Sequence, residues 1–270
     1  AAMITHAHDD HSASARYFHR VYPNVPVYAL GTTARILPLV WRDSLKILEE
    51  NAGQNQWTVM LRSDNRLEKN LRCLDHDQWV KLNDVMKMKL YDSGHIPGAV
   101  SVRVATPWGV ILYSGDVSVS SRLTVRPAAI DFSDGPVDVL IMDSTNGDLV
   151  VDDQSSDGIS YDLIHHIQRI LKRGASVVIP AFALGRSVEV AAILKFAREQ
   201  GLIPDVEIFM DGLALALAER LKEDENLPDA LRHLFDGDHG VVRIRGSIHR
   251  RQVIADIQQG KQKIIIAGSG

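Results

Sequence analysis

The chain opens on a short apolar run, Ala2-Met3-Ile4-Thr5, followed at once by His6-Ala7-His8-Asp9-Asp10-His11. No other feature constrains the fold as tightly. Five potential metal ligands fall within six positions, and imidazoles combined with carboxylates suit zinc or a similar first-row divalent ion. A helix would spread His6 and His8 onto different faces, whereas a loop at the end of a buried strand can turn most of these groups inward. The spacing therefore predicts a strand ending in a metal-facing loop. A solvated polar turn is the competing reading for a single His-x-His pair, and the longer H-x-H-x-D-H pattern weighs against it.

Two later stretches add to the pattern. Ser93-Gly94-His95-Ile96-Pro97-Gly98-Ala99 follows a partly apolar segment, Met86 to Tyr91, and Val110 to Tyr113 reads as a strand that runs into Ser114-Gly115-Asp116. In each, a glycine beside a ligand-type residue lets the backbone approach closely. Val100 to Ala105 and Val110 to Tyr113 form a predicted hairpin around Thr106-Pro107-Trp108-Gly109. Such a hairpin brings His95 and Asp116 toward one end of a sheet. Taken singly, each of these is as readily a plain turn; their order along the chain is the specific signal.

In that order of motifs the chain resembles the metallo-β-lactamase superfamily. The resemblance implies an αββα sandwich with two zinc ions at one edge, manganese being the alternative metal. By matching positions, His6, His8 and His95 would hold one zinc, Asp10 and His11 the other, and Asp116 would bridge them. Asp9 stands where the family varies and is read as a neighbour. Two divalent ions roughly 3.5–4 Å apart can share a water, lower its pKa and clamp attacking and leaving oxygens, which suits hydrolysis of phosphodiesters, esters or amides.

The second half narrows the class. The apolar strand Val137 to Met142 precedes Asp143-Ser144-Thr145-Asn146-Gly147. A second strand runs through Ile179-Pro180-Ala181-Phe182-Ala183-Leu184-Gly185-Arg186 into a helix ending near Glu199. Val206 to Gly212 leads into another helix, and Lys263 to Gly270 is a strand entering a Gly-Ser turn. Alternating strands and helices predict an α/β unit with a parallel sheet. These segments resemble the β-CASP nucleases, a branch with a second domain inserted after the Gly-Asp strand, and most closely its RNA-processing members, ribonuclease J and the polyadenylation-factor endonuclease subunit. The resemblance implies that Asp143 hydrogen-bonds a later histidine able to protonate the leaving group, and that Asp10 orients a metal-bound hydroxide. From the residues alone, Asp143 is equally a cap on the Ser-Thr turn. Arg186 opens a helix, where an arginine adds a charged fork for phosphate, or is an ordinary first-turn residue near Glu189. Ser269 is a candidate phosphate contact or a plain turn residue.

The remaining features are permissive. The 270 residues, 45% hydrophobic and 24% charged, suffice for two modest domains. These are read as 1–150, the metallo-β-lactamase part, and 151–270, the β-CASP part, separated by a polar stretch that includes Asp148, Asp152, Asp153 and Gln154. No apolar run approaches the roughly 20 residues that span a bilayer, and the lone Cys73 excludes an intrachain disulfide; both fit a cytoplasmic protein. A net charge of −4 means that a nucleic-acid partner needs a local positive groove. Thr32 to Asn51 is a predicted helix with Leu37, Val40, Trp41, Leu45 and Leu48 inward, kinked or broken at Pro38. His19, His76, His165, His166, His233, His239 and His249 have no partner spacing, and Arg243, Arg245, His249, Arg250 and Arg251 form a modest basic cluster, read as a solvated face before a nucleic-acid contact.

Against the family pattern the chain begins where the first-motif strand is already finishing and ends before the later motifs, so the resemblance implies a fragment cut at both ends whose second zinc site lacks a ligand. The expected function is a zinc-dependent phosphodiester hydrolase, exonuclease or endonuclease, acting on single-stranded RNA. A DNA nuclease, a small-molecule metallo-hydrolase and a catalytically silent scaffold are the alternatives.

Overall fold

The computed structural model describes residues 1–145, 147–148 and 156–268, and the chain divides into two compact units. The first is Ala1–Ser120 with Arg126–Leu149; the second is Ser121–Val125 with Val150–Gly270.

In the first unit, β1 (Ala2–Ile4), β2 (Val27–Leu30) and β3 (Arg72–Leu74) form a parallel three-stranded sheet. Between β1 and β2 lie α1 (Asp9–Ser12) and α2 (Ala15–Val21); α3 (Gly31–Ala52), α4 (Gln56–Ser63) and α5 (Arg66–Asn70) connect β2 to β3. A second, five-stranded sheet runs in the order β4 (Val80–Lys81), β5 (Lys87–Asp92), β6 (Val100–Thr106), β7 (Gly109–Tyr113) and β8 (Val139–Ile141). Its pairs are antiparallel except β7 with β8, which is parallel.

Strand periodicity decides what lies between the sheets. Successive side chains point to opposite faces. Tyr28 and Leu30 of β2, Met88 and Leu90 of β5, and Val100 and Val102 of β6 meet in one core cluster, so the two sheets pack face to face. Each buried aliphatic or aromatic side chain there stabilises the unit by about 1.5–3 kcal/mol relative to exposure. The other face of β5 and β6 carries Lys89, Tyr91 and Arg103, which gather around the Phe132–Asp134 turn: Lys89 Nζ and Tyr91 Oη donate to Asp134 Oδ2 at 2.7 and 2.6 Å, and Arg103 donates to the carbonyls of residues 134–136.

Helix α3 lies along β2 and β3. Ile36, Leu37, Val40, Trp41 and Leu45 are buried, as the helical spacing requires. Two parts of the expectation for this helix need correction, the break at Pro38 and the burial of Leu48. It runs through Pro38 without a break, because the burial of Ile36, Leu37 and Trp41 on either side outweighs the single backbone hydrogen bond that proline removes. Leu48 is half exposed, since it borders an open groove with Trp41, Ile47 and Leu61 rather than a second layer of protein.

In the second unit, β9 (Val177–Ala181), β10 (Ile208–Met210), β11 (Val242–Arg243) and β12 (Ile264–Gly268) form an entirely parallel sheet of order β11-β10-β12-β9. Its helices are α6 (Ser156–Leu171), α7 (Arg186–Glu199), α8 (Gly212–Leu221), α9 (Asp229–Arg232) and α10 (Gly246–Gln258). Phe209 and Ile265 face Val253 and Ile257 of α10, while Ile208, Met210, Ile264 and Ile266 are buried on the opposite face, where α7 and α8 pack. Strands covered on both sides explain the near-continuous apolar runs of β10 and β12. Among the described residues no helix is long and apolar enough to cross a membrane.

Candidate metal centre

Three chain segments converge at one edge of the first unit. The first leaves β1 at Ile4: the chain bends through His6 to His8, His8 occupies the N-cap of α1, and Asp9 and Asp10 form that helix's first turn. The loop is thus partly helical, but only after His6 and His8 have been placed, so the two imidazoles still turn to one side. The second leaves β5 through Ser93-Gly94-His95. The third leaves β7 through Ser114-Gly115-Asp116.

Backbone hydrogen bonds tie the three together. The Val100 amide donates to Thr5 O at 3.0 Å, the Ser118 amide to Ser93 O at 2.8 Å, and Gly94 forms a bridge with Val117. Gly94 makes this possible. Its φ is +74°, and a Cβ there would stand 2.1 Å from Ser118 O and 2.5 Å from Ala128 N. Only glycine can occupy that position.

His6, His8, His95 and Asp116 each bring one ligand atom into a group in which all such atoms lie within 4.8 Å of one another. His8 Nδ1 is 3.2 Å from His95 Nε2, and His95 Nε2 is 3.4 Å from Asp116 Oδ2. Ligand atoms about 2.0–2.1 Å from a tetrahedral zinc stand about 3.4 Å apart, so these spacings fit such a centre.

His6 supplies a chemical test of that fit. It is 1% exposed, and its Nε2 has no hydrogen-bond partner. Burial first, then the neighbouring His11, His8 and His95, lower its pKa from 6.5 to about 2. The ring is therefore neutral, and its 3.8 Å approach to Asp116 Oδ2 is not an ion pair. Thr5 Oγ1 lies 3.2 Å from His6 Nδ1. With the proton on Nδ1 and donated to Thr5, the Nε2 lone pair points into the cluster. An unmet buried polar atom costs about 1–3 kcal/mol, and a cation among these four groups would recover it.

His11 approaches the other oxygen of the same carboxylate: its Nε2 is 3.3 Å from Asp116 Oδ1 and 3.4 Å from Asp10 Oδ2. Asp116 thus stands between His6 and His95 on one side and His11 on the other. Asp10 is on the solvent side, its side chain largely exposed, and His11 is its ion-pair partner among the described residues. Asp9 accepts a hydrogen bond from Ser44.

Asp143 follows β8. Its Oδ1 accepts from the amide and hydroxyl of Thr145 at 2.8 and 2.6 Å, a local turn cap, and its own amide donates to Ser114 Oγ at 2.9 Å. Thr145, the Val117 amide and the nearby His95 hold this carboxyl below the usual carboxylate range. Asp143 therefore caps its turn, as one of its two readings expected, and carries a negative charge beside the His95 loop. Arg186 is the exposed first residue of α7, in the second unit. Ser269 lies outside the described residues.

The scattered histidines have local partners: His76 reaches Asp92, His233 Asp236, His239 Arg198 and Asp205. In the basic cluster, Arg243 and Arg245 are both held by Glu219, and Arg250 by Asp211, so much of its charge is compensated. The sequence reading missed Thr5, which orients His6, and Ser114, which fixes the Asp143 backbone. Thr5 stands immediately before His6, which is the one signal that could have flagged it.

No family model matches the chain. It is similar to an RNase J-like protein of Methanocaldococcus jannaschii, 29% identical over 212 residues, covering 78% of this chain and 47% of that protein. It is similar along its whole length to the transcription termination factor FttA of Pyrococcus abyssi, 30% identical and covering 42% of it. It also resembles the cleavage and polyadenylation specificity factor subunit 3-II of Arabidopsis thaliana, 26% identical over 90% of this chain and 41% of that protein. The chain spans less than half the length of each of these relatives.

Proposed function

Because the chain belongs to the β-CASP branch of the metallo-β-lactamase superfamily, we propose that it carries the metal centre of a phosphodiester hydrolase that cuts single-stranded RNA. One observation carries the proposal: three imidazoles and a carboxylate from distant parts of the chain converge around the unpartnered buried nitrogen of His6. The names of the relatives, an RNase J-like protein among them, favour RNA over DNA as substrate. In this reading residues 1–150 are the metallo-β-lactamase part, an αββα sandwich, supported by the face-to-face sheets with α3 outside them. Residues 151–270 are the β-CASP part, supported by the parallel sheet with helices on both faces.

His6, His8 and His95 would hold one divalent cation, Asp10 and His11 a second, with Asp116 between them; the histidine-rich donor set suits zinc. Such a pair, when bound, supplies charge neutralisation at the scissile phosphate and lowers the pKa of a water molecule. The chain's own groups then divide the work. Burial keeps His6 neutral and available as a donor atom, and Thr5 sets its tautomer. Asp116 presents one oxygen to each side of the cluster. Asp10, exposed beside His11, is placed to accept and orient the proton of an attacking water. Asp143, held anionic by Thr145, fixes a negative charge able to orient a proton donor for the leaving oxygen. Arg186, at the N-terminus of a helix, offers its fork to a substrate phosphate.

The test is an incubation of matched end-labelled single-stranded RNA and DNA with the zinc-loaded chain, with and without chelator, beside His95→Ala. RNA cleavage abolished by both the chelator and the substitution is the expected result. Preferential cleavage of DNA, or no cleavage of either by a chain shown to hold zinc, would overturn it.

A further inference from the structure

Just after Asp116 the chain leaves the first unit and soon returns to it. Ser121–Val125 belong to the second unit, while the residues on either side, up to Ser120 and from Arg126, belong to the first. The base of this excursion is a neck of backbone hydrogen bonds. The Ala128 amide donates to Ser118 O at 2.8 Å, which closes residues 119–127 into a loop. The Ser118 amide donates to Ser93 O at 2.8 Å and the Ala129 amide to Asp92 O at 3.0 Å. Gly94, beside His95, fits against the neck so closely that a Cβ there would meet Ser118 O and Ala128 N. The neck therefore joins the turn that carries His95 to the turn that carries Asp116.

The tip of the loop is fixed by one carboxylate. Glu189, in the first turn of α7, accepts the Leu123 amide through Oε1 at 2.9 Å and the Thr124 amide through Oε2 at 3.0 Å, and the Thr124 hydroxyl as well. Bonds to carboxylate oxygens are among the stronger hydrogen bonds. Thr124 is fully buried and Val125 nearly so, so the tip is packed as well as bonded.

Little slack separates tip from neck. Val119 and Ser120 join them on one side, Arg126 and Pro127 on the other. A two-residue arm reaches at most about 7 Å, and the proline ring fixes φ in one of the arms. A tip held on α7 thus restricts the conformations open to the neck. A neck already restricted loses less freedom when a cation fixes His95 and Asp116. Without the clamp, the loop samples conformations in which Ser118 and Ala128 separate.

We propose that Glu189 is a positioning residue for the metal centre: through its clamp on Leu123 and Thr124 it holds closed the neck that joins the His95 and Asp116 turns. The inference rests on the reading of that edge as a metal centre. It gives a residue of the second unit, with no ligand role, a part in cation binding.

Two measurements test it, amide exchange of the metal-free chain and zinc affinity by competition with a chromophoric chelator. In Glu189→Ala, exchange should quicken at Leu123 and Thr124 and also at Ser118 and Ala128, and zinc should bind about five- to tenfold more weakly, a modest coupling between sites. Glu189→Gln, which keeps one acceptor oxygen, should fall between that variant and wild type, and it carries the test if Glu189→Ala fails to fold. Glu199→Ala, in the last turn of α7 where the carboxylate pairs with Lys195, should change none of these quantities. A purely local role for Glu189 predicts faster exchange at Leu123 and Thr124 alone, with neck exchange and zinc affinity as in wild type. That result, or an equal loss of affinity in Glu199→Ala, would overturn the inference and leave the metal centre standing. Wild-type zinc binding that survives His95→Ala would overturn the metal reading and this inference with it.

Discussion

At the scale of single residues, His6 shows how burial prepares a ligand. The chain spends a fully buried position on a polar ring and leaves one nitrogen unmet. Thr5 matters because a ring with the wrong tautomer would present N–H, not a lone pair, to the cluster. Groups that orient a metal-bound histidine typically contribute 10–100-fold in affinity. Thr5→Val, which keeps the shape and removes the hydroxyl, should therefore weaken zinc binding by roughly that factor. Competition against a chromophoric chelator reads it directly, and an unchanged affinity would mean that Thr5 does not set the tautomer. Asp134 acts on stability instead. Hydrogen bonds from Lys89, Tyr91 and Trp79 lower its pKa from 3.8 to about 2. A carboxyl whose folded pKa lies below its unfolded one stabilises the fold above about pH 4 and loses that contribution as pH falls toward 2. Asp134→Asn should accordingly be less stable than wild type at neutral pH. The gap between their urea midpoints should narrow steadily from pH 4 to pH 2; a gap independent of pH would refute the linkage.

At the scale of elements, the glycines beside His95 and Asp116 were legible in the sequence, and the structure gives the reason in numbers. Gly94 must sit at φ +74° with a carbonyl where a Cβ would go. Gly115, at φ +57°, would put its Cβ 3.1 Å from Val100 O. Gly94→Ala should break the bridge to Val117, lose on the order of 3 kcal/mol and displace His95. Chemical denaturation and zinc titration together test this, and a variant with wild-type stability and affinity would show that the close approach is dispensable. The β6–β7 hairpin and the Gly-Asp turn were equally legible, because strand, turn residues and strand follow in short order. Strands β2 and β3 were not. They are four and three residues long, and β2 is buried on both faces, so neither carries an alternating pattern. The helical turn at Asp9 was also unread, since a four-residue helix has no periodicity to detect. The clamp by Glu189 lay beyond reach for a different reason: it joins positions more than sixty residues apart, and nothing local marks Leu123 or Thr124 as its donors.

At the scale of the whole molecule, alternation of strands and helices was enough to anticipate a parallel sheet in the second half, but not its order, because order is decided by which helices cross which face. The first unit was harder: its three-stranded sheet assembles strands separated by two helices and then three. Its candidate metal centre has the same long-range character. Position 6 follows β1, position 95 follows β5 and position 116 follows β7, so a cation held there would cross-link the ends of both sheets. Ligand that binds only the folded state stabilises it by about 2.7 kcal/mol at a hundred times its dissociation constant. Saturating zinc should thus raise the thermal midpoint of the first unit by several degrees and slow amide exchange through residues 93–118, where the His95 and Asp116 loops are stitched together. His95→Ala should lose most of the shift, because removing it takes away one of three imidazoles and the closest neighbour of His8. A midpoint indifferent to zinc would remove the metal from the account of this edge. A shift that survives in His95→Ala would place the metal elsewhere on the chain. Protection confined to residues 93–118 and the β1 end, and lost with His95, is the pattern that a cation bridging these three segments must produce.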